Sequence, residues 1–148
     1  MYERKLSELF RTIGTVRKMV LSTSFDNRVT SRMMSFVIFD NKFYCQTDKT
    51  FLKYQQIKSN PNVALCIDNV QIEGIAKNIG KPLENKKFIN LFKQYYKTSY
   101  EIYSFLENEI LLEIDPSFIR VWINKDFIPV REFYNLRTKE FKKESYLL

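Results

Sequence analysis

Apolar residues change their spacing several times along the chain, and each change marks a predicted element. The first stripe recurs every three to four positions and consists of Leu6, Leu9, Phe10 and Ile13. This spacing is typical of an amphipathic helix, and Gly14 is a suitable residue to end it.

From residue 18 onward the pattern changes to alternating and β-branched residues, which are typical of strands. Strands are predicted over residues 19–24, 29–39 and 43–47. The polar Asp40-Asn41-Lys42 segment between the last two is short, so these strands are expected to pair as an antiparallel hairpin.

The remaining apolar runs alternate between short helices and strands. A short helix is predicted around residues 51–57 and is ended by Asn60-Pro61. Strands follow over residues 63–67, 70–79, 110–114, 118–123 and, less regularly, 127–133. Gly74 inside the second of these indicates a bulge or a close backbone approach. Asp115-Pro116 is interpreted as the separator between two strands.

Residues 83–106 have helical spacing, with a break expected near residues 98–99. This segment carries a run of aromatic residues: Phe88, Phe92, Tyr95, Tyr96, Tyr100, Tyr103 and Phe105. Aromatic residues at this spacing usually pack in a core or a dimer contact. The alternative is that the segment covers part of a ligand and shapes the opening of its site.

These elements predict one domain over residues 1–148, mainly β within the α+β class. Six or seven strands with hairpin-length connections favour a closed or nearly closed antiparallel barrel with a few flanking helices. No stretch has the roughly 20 apolar residues needed to cross a bilayer, and residues 1–5 lack an apolar signal core. A cytoplasmic protein is therefore expected.

Composition restricts the chemistry more than the fold. The 24 Lys and Arg against 17 Asp and Glu give a net charge of +7, which favours an anionic partner. The chain has no histidine, which excludes histidine triads and histidine-ligated zinc or haem. Cys45 and Cys66 lie in separate apolar runs and are expected to be buried, reduced thiols, with neither a disulfide nor a metal site. An enzyme of this composition would depend on a bound cofactor.

The segment most indicative of a binding site runs from a strand into a helix and contains Thr47, Asp48, Lys49, Thr50 and Lys53. Lysines at a helix N-terminus are unfavourable unless an anion compensates them. At i, i+4 spacing, Lys49 and Lys53 are expected to share one face with the threonine hydroxyls, which makes a phosphate cradle. The alternative is that Asp48 or Thr50 only caps the helix while both lysines point into solvent.

Arg32 lies on the strand that the predicted hairpin places beside residues 43–47. Its side chain is expected to converge on the same anion, because a guanidinium in a half-buried strand needs a planar acceptor. A carboxylate on a neighbouring strand is the competing explanation.

Together these residues resemble the pyridoxamine 5′-phosphate oxidase-like FMN-binding split barrels. The resemblance extends over residues 16–80 and is carried by three segments in order: Val20-Leu21-Ser22-Thr23-Ser24, Asn27-Arg28-Val29-Thr30-Ser31-Arg32-Met33-Met34-Ser35-Phe36-Val37-Ile38, and Phe43-Tyr44-Cys45-Gln46-Thr47-Asp48-Lys49-Thr50 continuing from Lys53 to Leu65.

The resemblance implies an antiparallel split barrel that holds FMN and closes the flavin site across a homodimer. It implies that Arg32 reaches the phosphate or ribityl chain and that Met33, Met34 and Ser35 lie along the isoalloxazine ring. Thr47 and Lys53 match phosphate-binding positions. Gln71 and Glu73 are candidates for the dimer interface, and Gln71 is also taken as a cofactor-binding residue.

Two departures from that family argue against vitamin B6 oxidation. The oxidase has an Arg-Lys pair for phosphate where this chain has Leu52-Lys53, so Lys49 is expected to substitute for the missing charge. The oxidase's C-terminal substrate motif contains a histidine, and Trp122 and Arg131 match that motif only loosely.

Three functions remain open from the sequence. The first is an FMN-dependent oxidoreductase that passes hydride or electrons from NADH or NADPH to a small acceptor, without a residue identified as a catalytic acid or base. The second is a non-catalytic flavin-binding module. The third is a nucleic-acid-binding barrel, which the scattered rather than striped basic residues disfavour. Lys139, Lys142 and Lys143 are interpreted as a solvated helix end or tail.

Overall fold

The computed structural model describes residues 1–146 as an antiparallel β-barrel with flanking helices. The strands are β1 (Val16–Phe25), β2 (Arg28–Phe39), β3 (Lys42–Asp48), β4 (Asn62–Ile67), β5 (Val70–Asn78), β6 (Glu109–Lys125), β7 (Ile128–Asn135) and β8 (Glu140–Ser145). Six strands close the barrel in the order β3-β2-β1-β4-β5-β6, because β3 also pairs with β6. β7 and β8 extend the sheet beyond β6. The predicted antiparallel barrel is therefore confirmed.

Within the described residues, four α-helices flank the barrel: α1 (Tyr2–Ile13), α2 (Leu52–Ser59), α3 (Lys86–Tyr95) and α4 (Lys97–Tyr103). A 3-10 turn, Pro82–Glu84, precedes α3. The stripe predicted from the first apolar spacing is the buried face of α1, and Gly14 ends this helix at a φ of 91°. In the described part of the chain, no helix is long and apolar enough to cross a membrane.

Two apolar clusters stabilise the two sides of the barrel wall. The larger fills the interior and joins α1 to the inward side chains of the strands, among them Phe36 and Phe43. The smaller lies on the outer face, where Val37 and Tyr44 pack under Phe88 and Phe92 of α3. Successive residues of one strand thus pack in opposite clusters, as the two-residue period of a strand requires.

The β2–β3 hairpin forms as predicted, with Ile38 opposite Phe43. Asp40 and Asn41 in its turn have φ values of 53° and 56°. Consecutive left-handed residues are typical of the tight turns whose twist matches that of paired strands. Asn and Asp tolerate this conformation better than other non-glycine residues, so the local sequence favours the hairpin.

The interpretation of Asp115-Pro116 as a separator is wrong, because β6 runs unbroken through both residues. Pro116 lies opposite Gly74, where the register of β5 shifts. A proline without an N–H is tolerated at such an irregularity. Gly74 itself makes the predicted close approach: a Cβ there would lie 2.8 Å from Ile114 Cγ2 and 2.9 Å from the Asp115 carbonyl oxygen.

Three other predictions need correction. The C-terminal lysines lie in or beside β8, which follows a turn at Lys139 with a φ of 58°, so residues 1–146 contain eight strands. The helical segment breaks at Tyr96 instead of near residues 98–99, since the Tyr96 hydroxyl donates to the Phe36 carbonyl over 3.0 Å and ties the break to β2. Cys45 is buried as expected, but Cys66 is exposed because it points outward from β4, and both are free thiols.

Candidate functional site

A cleft of about 280 Å³ lies where β2, β3 and the start of β6 meet α2, α3 and α4. Its lining brings together residues from distant parts of the sequence: Met33, Met34, Ser35, Gln46, Thr47, Asp48, Phe51, Lys53, Phe92, Ser99, Tyr103 and Glu109. Six of the residues predicted to bind a cofactor are among them. A second recess of about 460 Å³ beside α1 contains none of the predicted residues.

Lys53 connects α2 to the end of β3. Its Nζ donates to Thr47 Oγ1 over 3.0 Å and lies 5.0 Å from the centre of the Phe51 ring. Thr47 is only 4% exposed, so the lysine is drawn back against the barrel. Burial, followed by the positive charge of Arg32, lowers the pKa of Lys53.

Lys49 does not share a helical face with Lys53, contrary to the prediction. The helix begins at Leu52, so Lys49 lies in the preceding turn and its side chain is exposed. The turn is held by Asp48, whose Oδ1 accepts from the Thr50 amide over 2.8 Å and from the Thr50 hydroxyl over 2.6 Å. These bonds lower the pKa of Asp48. Asp48 and Thr50 therefore close the turn, and neither side chain caps the helix.

Arg32 is held in place by hydroxyl and carbonyl oxygens. Its Nη1 donates to Thr23 Oγ1 over 2.8 Å and to the Leu21 carbonyl over 3.2 Å, and its Nη2 donates to Thr30 Oγ1. Both threonine hydroxyls also bond to Gln56 Oε1 of α2, each over 2.6 Å. Burial lowers the pKa of Arg32. This network fixes the guanidinium beside α2 although Arg32 itself does not line the cleft.

Arg32 and Lys53 form a pair of cations without a salt bridge among the described residues, although Asp48 and Glu109 line the same cleft as Lys53. Within residues 1–146, neither side chain has a carboxylate oxygen within 4.0 Å. The alternative that a neighbouring strand supplies a carboxylate to Arg32 is thus excluded for the described chain. Two partly buried positive charges near one another are unfavourable by themselves, and an anion bound between them would relieve the repulsion.

Met33, Met34 and Ser35 supply one wall of the cleft from β2. Met33 and Ser35 are two residues apart and share a face, whereas Met34 packs against the barrel interior. Met33 is 61% exposed. A flat apolar ligand lying along this strand would cover that side chain.

Glu109 is a site residue that the sequence analysis missed. It is the first residue of β6, pairs with Asp48 of β3 and is only 5% exposed. Burial, and then the charge of Asp48, raise the pKa of Glu109 to about 7, although the charge of Lys53 and the Gln46 side chain oppose the rise. The only sequence signal was an acidic residue directly before an apolar strand.

The aromatic segment packs on the barrel, as predicted, and it also lines the cleft. Phe88 and Phe92 are buried in the outer cluster. Phe92, Ser99 and Tyr103 also line the cleft, and Tyr103 is 48% exposed at its edge. The segment therefore packs on the barrel and shapes the opening of the site.

Gln71 is not part of the cleft. It lies exposed on β5, opposite Cys66 of β4 and Arg120 of β6. Glu73, two residues later, pairs with Arg120 on the surface. No cluster of three or more potential metal-ligating side chains of the His, Cys, Asp or Glu type occurs among the described residues.

Comparisons with known proteins identify the fold. Neither a protein-family model nor a curated protein matches the sequence. Among solved structures, the General Stress Protein 26 from Bacillus anthracis aligns at 23% identity with a TM-score of 0.65, covering 92% of this chain and all of that one. A pyridoxamine 5′-phosphate oxidase-related, FMN-binding protein from Nostoc punctiforme aligns at 16% identity with a TM-score of 0.63, covering 99% of this chain and 95% of that one. An F420 reductase aligns at 18% identity with a TM-score of 0.53, covering 69% of this chain and 87% of that one.

This chain has the fold of the pyridoxamine 5′-phosphate oxidase-like split barrels. The resemblance predicted from residues 16–80 is therefore confirmed for the fold, and the first two alignments extend it over more than nine-tenths of the chain. The split-barrel cleft is the place where the predicted residues of β2, β3 and α2 meet.

Proposed function

We propose that the chain binds FMN in this cleft and acts as an oxidoreductase that passes hydride or electrons from NADH or NADPH to a small acceptor. The observation that carries the proposal is the cation pair of Arg32 and Lys53, which forms no salt bridge within residues 1–146, beside a strand wall with exposed apolar surface. Proteins of the same fold include an FMN-binding protein and an F420 reductase, and these names support a flavin or a related deazaflavin as the ligand.

The phosphate end of the ligand is assigned to Lys53, Arg32 and Thr47. Lys53 already directs its ammonium to the Thr47 hydroxyl, so a phosphate oxygen can accept from both groups at once. Arg32 is fixed nearby by Thr23 and Thr30 and needs little reorganisation to contribute its charge. Charge-assisted hydrogen bonds of this kind are the strong ones in proteins.

The ring end is assigned to the wall formed by Met33, Met34 and Ser35. The backbone of β2 would orient the ring, and Phe92 and Tyr103, which also line the cleft, would help to exclude water from it. A bound flavin supplies the hydride and electron chemistry, which no side chain of this sequence provides. The protein contributes binding, orientation and the local charge.

A homodimer would complete this site. The cleft of one chain is about 280 Å³, just below the roughly 300–1,000 Å³ of typical small-molecule sites. Gln71 lies outside the cleft of its own chain, so it would contact the flavin only from a partner subunit. Light scattering after size-exclusion chromatography should give the mass of two chains, and a monomer that binds FMN at full affinity would contradict this part of the proposal.

Anaerobic mixing tests the oxidoreductase function. Protein loaded with FMN is mixed with NADH or NADPH without oxygen, and bleaching of the flavin absorbance by one of them is expected. Persistent colour with both nucleotides would favour the non-catalytic flavin-binding module instead. Parallel titration with F420 distinguishes a deazaflavin ligand from FMN.

A further inference from the structure

Glu109 is a buried carboxyl group inside the cleft that the proposed flavin contacts leave unused. Gln46, which lines the cleft beside it, accepts from the Ser104 hydroxyl at its Oε1 over 2.8 Å. Gln46 and Ser104 are 8% and 2% exposed. The Glu109 side chain thus lies in the cleft among buried polar side chains and beside Lys53.

The charged and titratable groups around Glu109 come from three elements. From β3, Asp48 repels its negative charge, and the Cys45 thiol stays neutral because burial raises the pKa of that thiol to about 12. From α2, Lys53 attracts it. From α4, Tyr103 lines the same cleft. Lys53 is therefore the one cation among these groups that favours an ionised Glu109.

The same lysine is the one assigned to the ligand phosphate. A phosphate bound to Lys53 brings negative charge toward Glu109 and compensates the attraction that keeps this carboxylate ionised. Both effects favour the neutral acid.

We propose that Glu109 takes up a proton when the cleft binds a phosphorylated flavin, so that Glu109 determines how tightly the phosphate is held at a given pH. This inference rests on the proposed flavin site and assigns to Glu109 a specificity role that the fold alone does not. A neutral Glu109 side chain favours binding of the anionic ligand, and an ionised one disfavours it.

Proton binding by Glu109 and FMN binding are linked, because the pKa of Glu109 differs between the free and the bound protein. The pKa of Glu109 is about 7 in the free protein. The bound phosphate should raise the pKa of Glu109 further. The contribution of a neutral Glu109 to FMN binding is fully present below the pKa of Glu109 in the free protein. It is lost as the pH rises through the pKa of Glu109 in the complex. The affinity for FMN should therefore fall by up to about tenfold per pH unit over this interval, the limit for one linked proton.

Isothermal titration of flavin-free protein with FMN at pH 7.5 measures the proton directly. At this pH the free phosphate monoester is already mostly a dianion, since its second pKa is about 6. Titrations in HEPES and in Tris, which differ in ionisation enthalpy, give the number of protons bound. Wild-type protein is expected to take up about half a proton or more if the Glu109 pKa rises by about one unit.

Two variants and a second ligand separate Glu109 from other groups. E109Q should bind FMN with little proton uptake and a flatter pH profile, whereas E107Q, in the exposed loop just before β6, should behave as wild type. The pKa of Lys53 is lowered, so this residue could also take up a proton on ligand binding, and that proton uptake would persist in E109Q. Riboflavin lacks the phosphate and should cause less uptake than FMN in wild-type protein.

The outcomes distinguish this inference from the flavin site on which it rests. FMN binding to wild-type protein without proton uptake overturns the inference and leaves the flavin site standing, even if E109Q does not fold. Wild-type uptake that persists in a folded E109Q also overturns it. If wild-type protein binds no FMN at any pH, both proposals are wrong.

Discussion

Lys53 donates a hydrogen bond to Thr47 over 3.0 Å, which joins the first turn of α2 to the end of β3. The bond aims the ammonium group at the barrel, while Lys49, four residues earlier, remains in an exposed turn. Two lysines at helical spacing thus have different environments. The difference arises because Asp48 and Thr50 close a turn that delays the helix until Leu52.

Replacing Lys53 by methionine should weaken FMN binding by about 10- to 100-fold, since a charge-assisted hydrogen bond contributes about 1.5–3 kcal/mol. Affinity is measured by quenching of FMN fluorescence. K49M is the matched control, and its affinity should change by less than about threefold because an exposed charge contributes little. Equal losses in the two variants would contradict the assignment of phosphate to Lys53.

Replacing Gly74 by alanine should lower the free energy of unfolding by about 1–3 kcal/mol, the usual cost of overpacking. The added Cβ would meet Ile114 Cγ2 at 2.8 Å and the Asp115 carbonyl oxygen at 2.9 Å, and the carbonyl belongs to backbone that cannot easily move. Urea denaturation followed by circular dichroism measures the change. An unaltered midpoint would show that β5 and β6 do not approach this closely.

Replacing Tyr96 by phenylalanine should lower the free energy of unfolding by about 0.5–1.5 kcal/mol, because it leaves the Phe36 carbonyl without the hydroxyl that now donates to it. Tyr95 is 51% exposed, so Y95F is a control that removes a hydroxyl from the neighbouring residue. Thermal unfolding of the two variants should differ. If Y95F is the more damaging change, the described break between α3 and α4 is wrong.

The two cysteines should differ sharply in reactivity. Cys66 is exposed on β4, whereas Cys45 is fully buried and burial raises its pKa to about 12. Thiolates are the reactive form, so a maleimide should label one thiol in the native protein and the second only after denaturation. Peptide mass mapping identifies the first site as Cys66, and C66S should abolish native labelling. Rapid native labelling of Cys45 would contradict its burial.

Local chemistry was sufficient to predict much of the barrel. The β2–β3 hairpin follows from two turn residues that tolerate positive φ, Asp40 and Asn41, between alternating strands. The Gly74 irregularity follows from a residue without a side chain inside an apolar strand. In both cases the decisive interaction is available within a few residues of the chain.

Contacts between distant segments could not be predicted from the spacing of residues along the chain. Asp48 and Glu109 face each other only because β3 closes on β6, which brings together residues that are far apart in the chain. Pro116 continues a strand because its partner strand is irregular at Gly74, a compensation that no reading of residues 110–123 alone reveals. The outward direction of Cys66 likewise depends on which face of β4 meets the barrel interior.

The visible spectrum of the protein after incubation with FMN and removal of free ligand is the decisive test of the flavin site. The protein should show the absorption bands of an oxidised flavin at one FMN per chain, with the released molecule identified by mass. The double variant R32M/K53M, which lacks both cations, should lose the bands while keeping the wild-type circular dichroism. Wild-type protein that remains colourless, or a folded double variant that retains FMN fully, would contradict a flavin site built on Arg32 and Lys53.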